Sequence, residues 1–168
     1  LREAGQTKEE IVRKVSSRVP SVQASFIIDK LNYLYKGGRC SGVALFAATA
    51  LNLKPCIKVK DGKMIVGKKY MGRLSGVLEK YVNDILNEFD NPDYTRIFVT
   101  HTKFPPELVE AVKARLKQTP FKEIIETTAS CTITSHCGPN TLGILYINDG
   151  GKVESVSYTH LRAHETDS

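Results

Sequence analysis

A histidine and a cysteine stand side by side in the stretch TITSHCGPNTLG, residues 132–143, just ahead of a Gly-Pro turn. Three chemistries fit those residue types: a thiol nucleophile with an imidazole base, half of a metal site, or a polar spot that holds a molecule without transforming it. A neighbouring base lowers a thiol pKa and makes a nucleophile, but adjacency works against the pairing. If Ser135-His136-Cys137 is extended, consecutive side chains point to opposite faces, and catalytic dyads generally join residues distant in sequence. Cys137 then reads as a small buried hydrophobe. Metal binding fares no better, because Cys131, His136 and Cys137 match no recognised ligand spacing, and Cys40 and Cys56 stand elsewhere. His101, in VTHTKF, reads as a strand-end residue.

A second stretch with chemical capacity is KGGRCS, residues 36–41. Gly37 and Gly38 can bare their amides, Arg39 offers a planar fork of donors, and Ser41 brings a hydroxyl to the start of an apolar segment. Free amides and a positive helix end suit an anion. An ordinary reading stands beside that one: Gly37 ends one helix, Ser41 caps the next, and Arg39 pairs with a surface acid. If the anion is a carboxylate, Arg39 holds it, His136 approaches it, and the apolar helix beyond lines a slot for an aliphatic tail.

The elements that must position these two stretches are legible in outline. Thr7-Lys8-Glu9-Glu10 has the form of a capping box, and a helix follows with Ile11, Val12, Val15 and Val19 on one side and Pro20 near its end. Phe26-Ile27-Ile28 reads as a short strand. Asp29 then caps a short helix with Leu31, Leu34 and Tyr35 inward, stopped by Gly37-Gly38. The segment SGVALFAATAL, residues 41–51, is apolar nearly all round and predicts a buried helix. Ile57 and Val59 alternate with Lys58 and Lys60 before Asp61-Gly62, a two-residue hairpin turn, and Lys63–Val66 returns. Leu74, Val77, Leu78, Tyr81, Val82, Ile85, Leu86 and Phe89 have helical spacing. Ile97–Val99, a helix opened by Pro105-Pro106, and Glu123–Ile125 read as a β-α-β unit. Residues 130–141 read as a loop running into a last strand over 142–147. The fold class expected is α/β, one layered sheet with helices packed on it.

Composition sets the frame. The chain has 168 residues, 41% of them hydrophobic and 25% charged, which is ordinary globular composition. No apolar run approaches the roughly 17 to 25 residues of a membrane helix. The chain begins at Leu1, without methionine, which predicts an upstream part of the protein. Four cysteines without a C-x-x-C pair predict a reduced, cytoplasmic setting. The last twelve residues, SYTHLRAHETDS, break the preceding rhythm and are set aside as a non-native tail, taking His160 and His164 with them. That tail holds one Arg, one Glu and one Asp, so the rest carries 23 Lys and Arg against 16 Asp and Glu. The lysines are scattered in ones and twos with no aromatic-basic stripe, which reads as solvated surface and not as a nucleic-acid interface.

The residues also carry a resemblance. FIIDKLNYLYKGGRCSGVALFAATALNLKPCIKVKDGKM, YMGRLSGV and SHCGPNTLGILY resemble the DegV family of bacterial fatty-acid-binding proteins, which shows L-x-Y-L-x-K-G-G-R-I-S, N-I-K-P-I with a D-G turn, R-G-R-x-x-A and T-H-x-G-P-G-x-L-G. That family includes the acyl-binding subunits of the fatty acid kinase system. The likeness runs from Leu1 to about Asn148, and K-G-G-R together with H-x-G-P is specific.

The resemblance implies a two-domain protein with a fatty acid whose head group lies in the cleft and whose tail lies inside. Residues 1–25 would be the connecting helix and linker from an absent N-terminal domain, 26–156 the DegV-like C-terminal fatty-acid-binding domain, and 157–168 the non-native tail. The absent domain would hold the D-S-T segment and the Ser/Thr residues on the carboxylate. Arg39 and His136 carry over as head-group residues, with Gly38, Cys40, Ser41, Leu45 and Gly138 as pocket positions. Cys40 replaces Ile, Ser135 replaces Thr and Asn140 replaces Gly; Asn is the least costly substitute in a left-handed backbone. The implied function is to carry a long-chain fatty acid, touch a membrane surface transiently, and present the carboxylate to an ATP-binding kinase subunit. No catalysis, no metal, no cofactor beyond the bound lipid and no nucleic acid are expected. Two other readings stay open: an acyl-transfer enzyme using Cys137 and His136, and an anion-binding module run by net positive charge.

Overall fold

A computed structural model of the chain describes residues 4–30, 32–38 and 53–151. The expected helix over residues 41–51 lies outside them, as do Arg39, Cys40, Ser41, Leu45 and the tail.

Helix α1, Lys8–Arg18, starts as the capping box predicts: Thr7 Oγ1 accepts from the Glu10 amide at 3.2 Å, and Glu10 accepts from the Thr7 amide at 2.9 Å. Its valines Val12 and Val15 are more than half exposed. Strand β1, Val22–Ile27, begins four residues before the apolar run that announces it, because Gln23 and Ser25 supply buried positions with polar side chains. A short helix α2, Asn32–Lys36, follows. Strands β2, Leu53–Lys60, and β3, Lys63–Met71, form the expected hairpin. Asp61 and Gly62 at its tip both have positive φ, 51° and 72°, as the twist of such a hairpin requires. Helix α3, Leu74–Glu88, and the unit β4 Arg96–His101, α4 Pro106–Leu116 and β5 Glu123–Thr128 match their periodicities. β4 and β5 are parallel.

The expectation of a loop over 130–141 is corrected in its first half. Cys131–Cys137 is a helix, α5, whose start Ser130 caps by accepting from the Ile133 amide. Two turns of Ser, Thr and Cys lack a readable apolar face, which hid the helix. Strand β6, Leu142–Ile147, closes the order.

The six strands lie in the order β3-β2-β1-β6-β4-β5, antiparallel at every neighbour except β4 with β5. Side chains alternate between the two faces. One face sends Ile27, Leu142, Ile144, Ile97 and Val99 into α3 and α4, where Val77, Tyr81, Val82, Ile85, Val109 and Leu116 complete the main core. Tyr81 ties that core to the sheet: its buried hydroxyl donates to the Ser25 carbonyl at 2.8 Å and accepts from the Ile144 amide at 3.1 Å. Tyr146 donates in turn to the Phe89 and Ile85 carbonyls at the end of α3. The opposite face carries Phe26, Gly143, Leu145, Phe98 and Thr100, and α2 and α5 dock at its β1 and β2 end through Ile28, Leu34, Ile57 and Cys137.

Candidate functional site

α2 and α5 are the two elements that hold the GG and HCGP segments, and they pack directly on each other. Gly37 continues the helical bonding of α2, its amide donating to the Tyr33 carbonyl at 2.9 Å. A Cβ at Gly37 would overlap Nδ1 of His136 and lie 3.1 Å from its Cε1. The imidazole therefore occupies the space that only a glycine leaves. The relation is reciprocal at the next pair: Gly138 ends α5 with φ of 77°, and a Cβ there would lie 2.8 Å from two atoms of the Tyr33 ring. Two glycines, one from each segment, let an aromatic ring of the other segment close over them. Residues almost a hundred positions apart are thus locked into one surface by shape.

The turn after α5 is pinned from a third side. Asn140 has φ of 57°, the left-handed backbone expected for it. Its amide donates to the Lys103 carbonyl at 3.0 Å, and its side chain donates to Asp29 Oδ2 at 3.3 Å. Asp29, the residue expected to cap α2, receives Lys54 Nζ at 2.5 Å, from a side chain that is only 10% exposed. A buried cation needs a paired acceptor. Burial acts to raise the Asp29 pKa, and the hydrogen bonds from Lys54 and Asn140 outweigh it and hold the carboxyl below its usual range.

Between α5 and the second sheet face lies a cavity of about 500 Å³. Phe26, Gly143 and Leu145 make its floor, Val59 and Met64 one wall, and Leu34 and Ile133 part of its cover, with His136, His101, Thr100 and Ser130 also on the lining. The two histidines differ. His101 has both ring nitrogens occupied, Nδ1 by the Thr102 carbonyl at 2.7 Å and Nε2 by Glu126 at 3.2 Å. His136 has a buried Nδ1 with no hydrogen-bond partner among the described residues.

Of the expected positions, the structure brings together His136, Gly138 and Gly38 with Gly37; Gly38 has φ of 65°, and no atom of the described residues lies within 4 Å of where its Cβ would stand. Cys137 is adjacent to His136 in a helix, not in the extended chain assumed for it. Its side chain sits in the apolar cluster of Ile28, Leu34 and Ile57. Among the described residues no three His, Cys, Asp or Glu side chains converge as a metal site would require. No described helix is long and apolar enough to cross a membrane. Tyr33, Lys54 and Gly143 were not among the expected site residues, and Asp29 was expected only as a helix cap. The helical offset of Tyr33 from Gly37 was available as a signal; the partners of Asp29 and Gly143 are distant in sequence and were not.

Comparison with known proteins completes the description. The profile of the DegV family, described as uncharacterised proteins, matches residues 1–149. A DegV domain-containing protein of Caldanaerobacter subterraneus is 30% identical over 144 residues, 84% of this chain and 50% of that protein. The structure of a fatty-acid-binding DegV family protein from Thermus thermophilus superposes with a TM-score of 0.72 at 25% identity, covering 88% of this chain and 53% of that one. The Streptococcus pneumoniae Fatty Acid Kinase B3 protein, loaded with linoleic acid, shares the fold with a TM-score of 0.76 at 18% identity, over 89% of this chain and 52% of that one. The chain spans about half the length of the curated relatives it matches. A family profile that runs through both glycine segments and the sheet beneath them leaves one assignment: the chain belongs to the DegV family.

Proposed function

We propose that this chain binds a long-chain fatty acid and presents its carboxylate to an ATP-binding kinase subunit, which forms the acyl phosphate, while the chain itself does no chemistry. The observation that carries the reading is the apolar cavity with the His136 side chain on its lining. Each buried methylene contributes about 0.8 kcal/mol, so an acyl tail supplies affinity without catalysis. A carboxylate entering such a place needs charged or hydrogen-bonding partners, since an unpaired buried charge is expensive. Arg39 and His136 take that role in the proposal, with Gly38, Cys40, Ser41, Leu45 and Gly138 shaping the entrance. The Thermus thermophilus relative, described by its fatty acid binding, supports the ligand class. The kinase partner rests on the resemblance and on the Fatty Acid Kinase name of a fold neighbour.

The proposal places the acyl-binding unit at residues 26–156, the connecting helix at 1–25 and a non-native tail at 157–168, in a cytoplasmic protein. An acyl-transfer reading is disfavoured by the apolar surroundings of Cys137. A polyanion-binding reading is weakened by the pairing of Lys54, Lys58, Lys68 and Lys113 with carboxylates.

The test uses the intact natural polypeptide that carries this sequence. Purified from a host, it releases fatty acid on extraction, seen by mass spectrometry. Arg39→Ala and His136→Ala each lower the bound fraction, and Cys137→Ser does not. Preparations that are empty of lipid and take up none on incubation would refute the carrier role.

A further inference from the structure

We infer that Leu145 is the partition that sets how long an acyl chain this protein accepts, an inference that rests on the carrier reading above. The cavity beside His136 has a neighbour on the same sheet face. A second, of about 640 Å³, lies further along the strands and is bounded by Val22, Phe98, Leu145 and Ile147. Leu145 is the residue common to both linings.

The reason for two spaces instead of one trough can be read from the strand register. On this face, Gly143 stands between Phe26 of β1 and Thr100 of β4. No side chain can replace it, because a Cβ would lie 2.5 Å from the Ser25 carbonyl oxygen and 2.9 Å from Phe26 Cβ. The β6 position in this row is therefore bare backbone, the lowest part of the floor. Two residues on, roughly 7 Å along the strand, Leu145 stands between Ala24 and Phe98. There the floor rises by a branched side chain with an aromatic ring beside it. Beyond the rise the second space opens toward Arg18 and Arg96. The Arg18 guanidinium is engaged by Asp93 and Asp149, at 2.5 and 2.6 Å, so it lines that end without competing for the lipid head group.

A tail entering from the His136 end thus meets Leu145 as an end stop, with unused room behind it. Replacing Leu145 by Ala joins the two spaces and lets further methylenes be buried. Replacing it by Phe raises the stop and excludes them. Each methylene gained or lost changes affinity roughly fourfold. Two together change the ratio of affinities for a longer and a shorter acid on the order of tenfold.

The experiment measures dissociation constants for saturated acids from myristate to arachidate with the intact natural polypeptide, its Leu145→Ala variant and its Leu145→Phe variant. The quantity read is the long-to-short affinity ratio within each variant, which cancels any general loss of fold quality. The inference expects that ratio to rise in Leu145→Ala and fall in Leu145→Phe. Two substitutions of opposite sign keep the test decisive if the smaller side chain leaves a hole that unfolds the protein. Binding that persists with the same length profile in a folded variant overturns the role of Leu145 and leaves the carrier reading standing. A wild-type protein that binds none of the acids overturns both.

Discussion

The closest interlock in the site, Gly37 against the His136 ring, makes a quantitative prediction. In Gly37→Ala the new methyl overlaps Nδ1, and ordinary carbon contacts near 3.5 Å require the imidazole to move by about 1 Å. Retreat is limited: Cε1 is also close, at 3.1 Å, and the Tyr33 carbonyl bounds the other side of the methyl at 3.2 Å. Overpacking of this kind costs about 1–3 kcal/mol. Against it stands a gain of about 0.4–1 kcal/mol from a stiffer unfolded chain, available because Gly37 is not in the left-handed region. The net expectation is a loss of roughly 0.5–2 kcal/mol, which lowers the melting temperature by about 2–4 °C per kcal/mol. Urea unfolding of wild type, Gly37→Ala, His136→Ala and the double variant isolates the contact. With the imidazole removed, Gly37→Ala should become neutral or stabilising, giving a coupling of about 1–3 kcal/mol. Gly38→Ala serves as the control: its φ of 65° makes it costly for backbone reasons, and its methyl meets no atom of the described residues, His136 included, so its cost should not depend on His136. If Gly37→Ala costs the same with and without the imidazole, the interlock is not what holds the two segments together.

Two further outcomes follow from charge and burial. Burial acts to raise the Asp93 carboxyl, but hydrogen bonds from Arg18 and Thr95 overcome it and hold the pKa down at about 2. Asp149 is lowered chiefly by its hydrogen bond from Arg18. An unfolded carboxylate titrates near 3.9, so this clamp stabilises the fold fully above about pH 4 and is lost as pH falls through about 2. Denaturation across that window should show a steep loss in wild type. Arg18→Gln should remove about 1–2 kcal/mol at neutral pH, after allowance for solvent screening, and flatten the slope; an unchanged slope would contradict the assignment. Cys56 is buried beneath α3, and desolvation pushes its thiol up to about 12. Cys131 is exposed. Brief alkylation at mild alkaline pH, mapped by mass spectrometry, should modify Cys131 and spare Cys56 until the protein is unfolded; rapid native labelling of Cys56 would show that its burial is wrong.

Arg18 also shows how the ends of the described chain are joined. It belongs to α1 yet reaches Asp93, before β4, and Asp149, after β6. One guanidinium therefore fixes α1 against two strand ends at the edge of the second cavity. The exposed valines of α1 add little to that attachment, since none of its residues is buried. Polar pairing and not apolar packing holds this helix to the described fold.

Local signals settled most elements before any contact was known. The capping box at Thr7, the Asp61-Gly62 turn and the periodicity of Leu74–Phe89 are encoded within a few residues, and each appears where those residues place it. The resemblance carried in the GGR and HCGP segments likewise named the family from short strings. Three things were decided only by folding. α5 lacks an apolar period and exists because Ser130 caps it and Cys137 anchors it on Ile28, Leu34 and Ile57. Asp29, whose position suggests a helix cap, also takes the ammonium of Lys54, which β2 brings beside it. Gly37 reads from sequence as a helix stop and Gly138 as part of a turn, but their missing side chains are filled by His136 and Tyr33, each from the other segment. A glycine advertises freedom along its own chain, whereas the space it vacates has meaning only for whatever the tertiary structure brings to it.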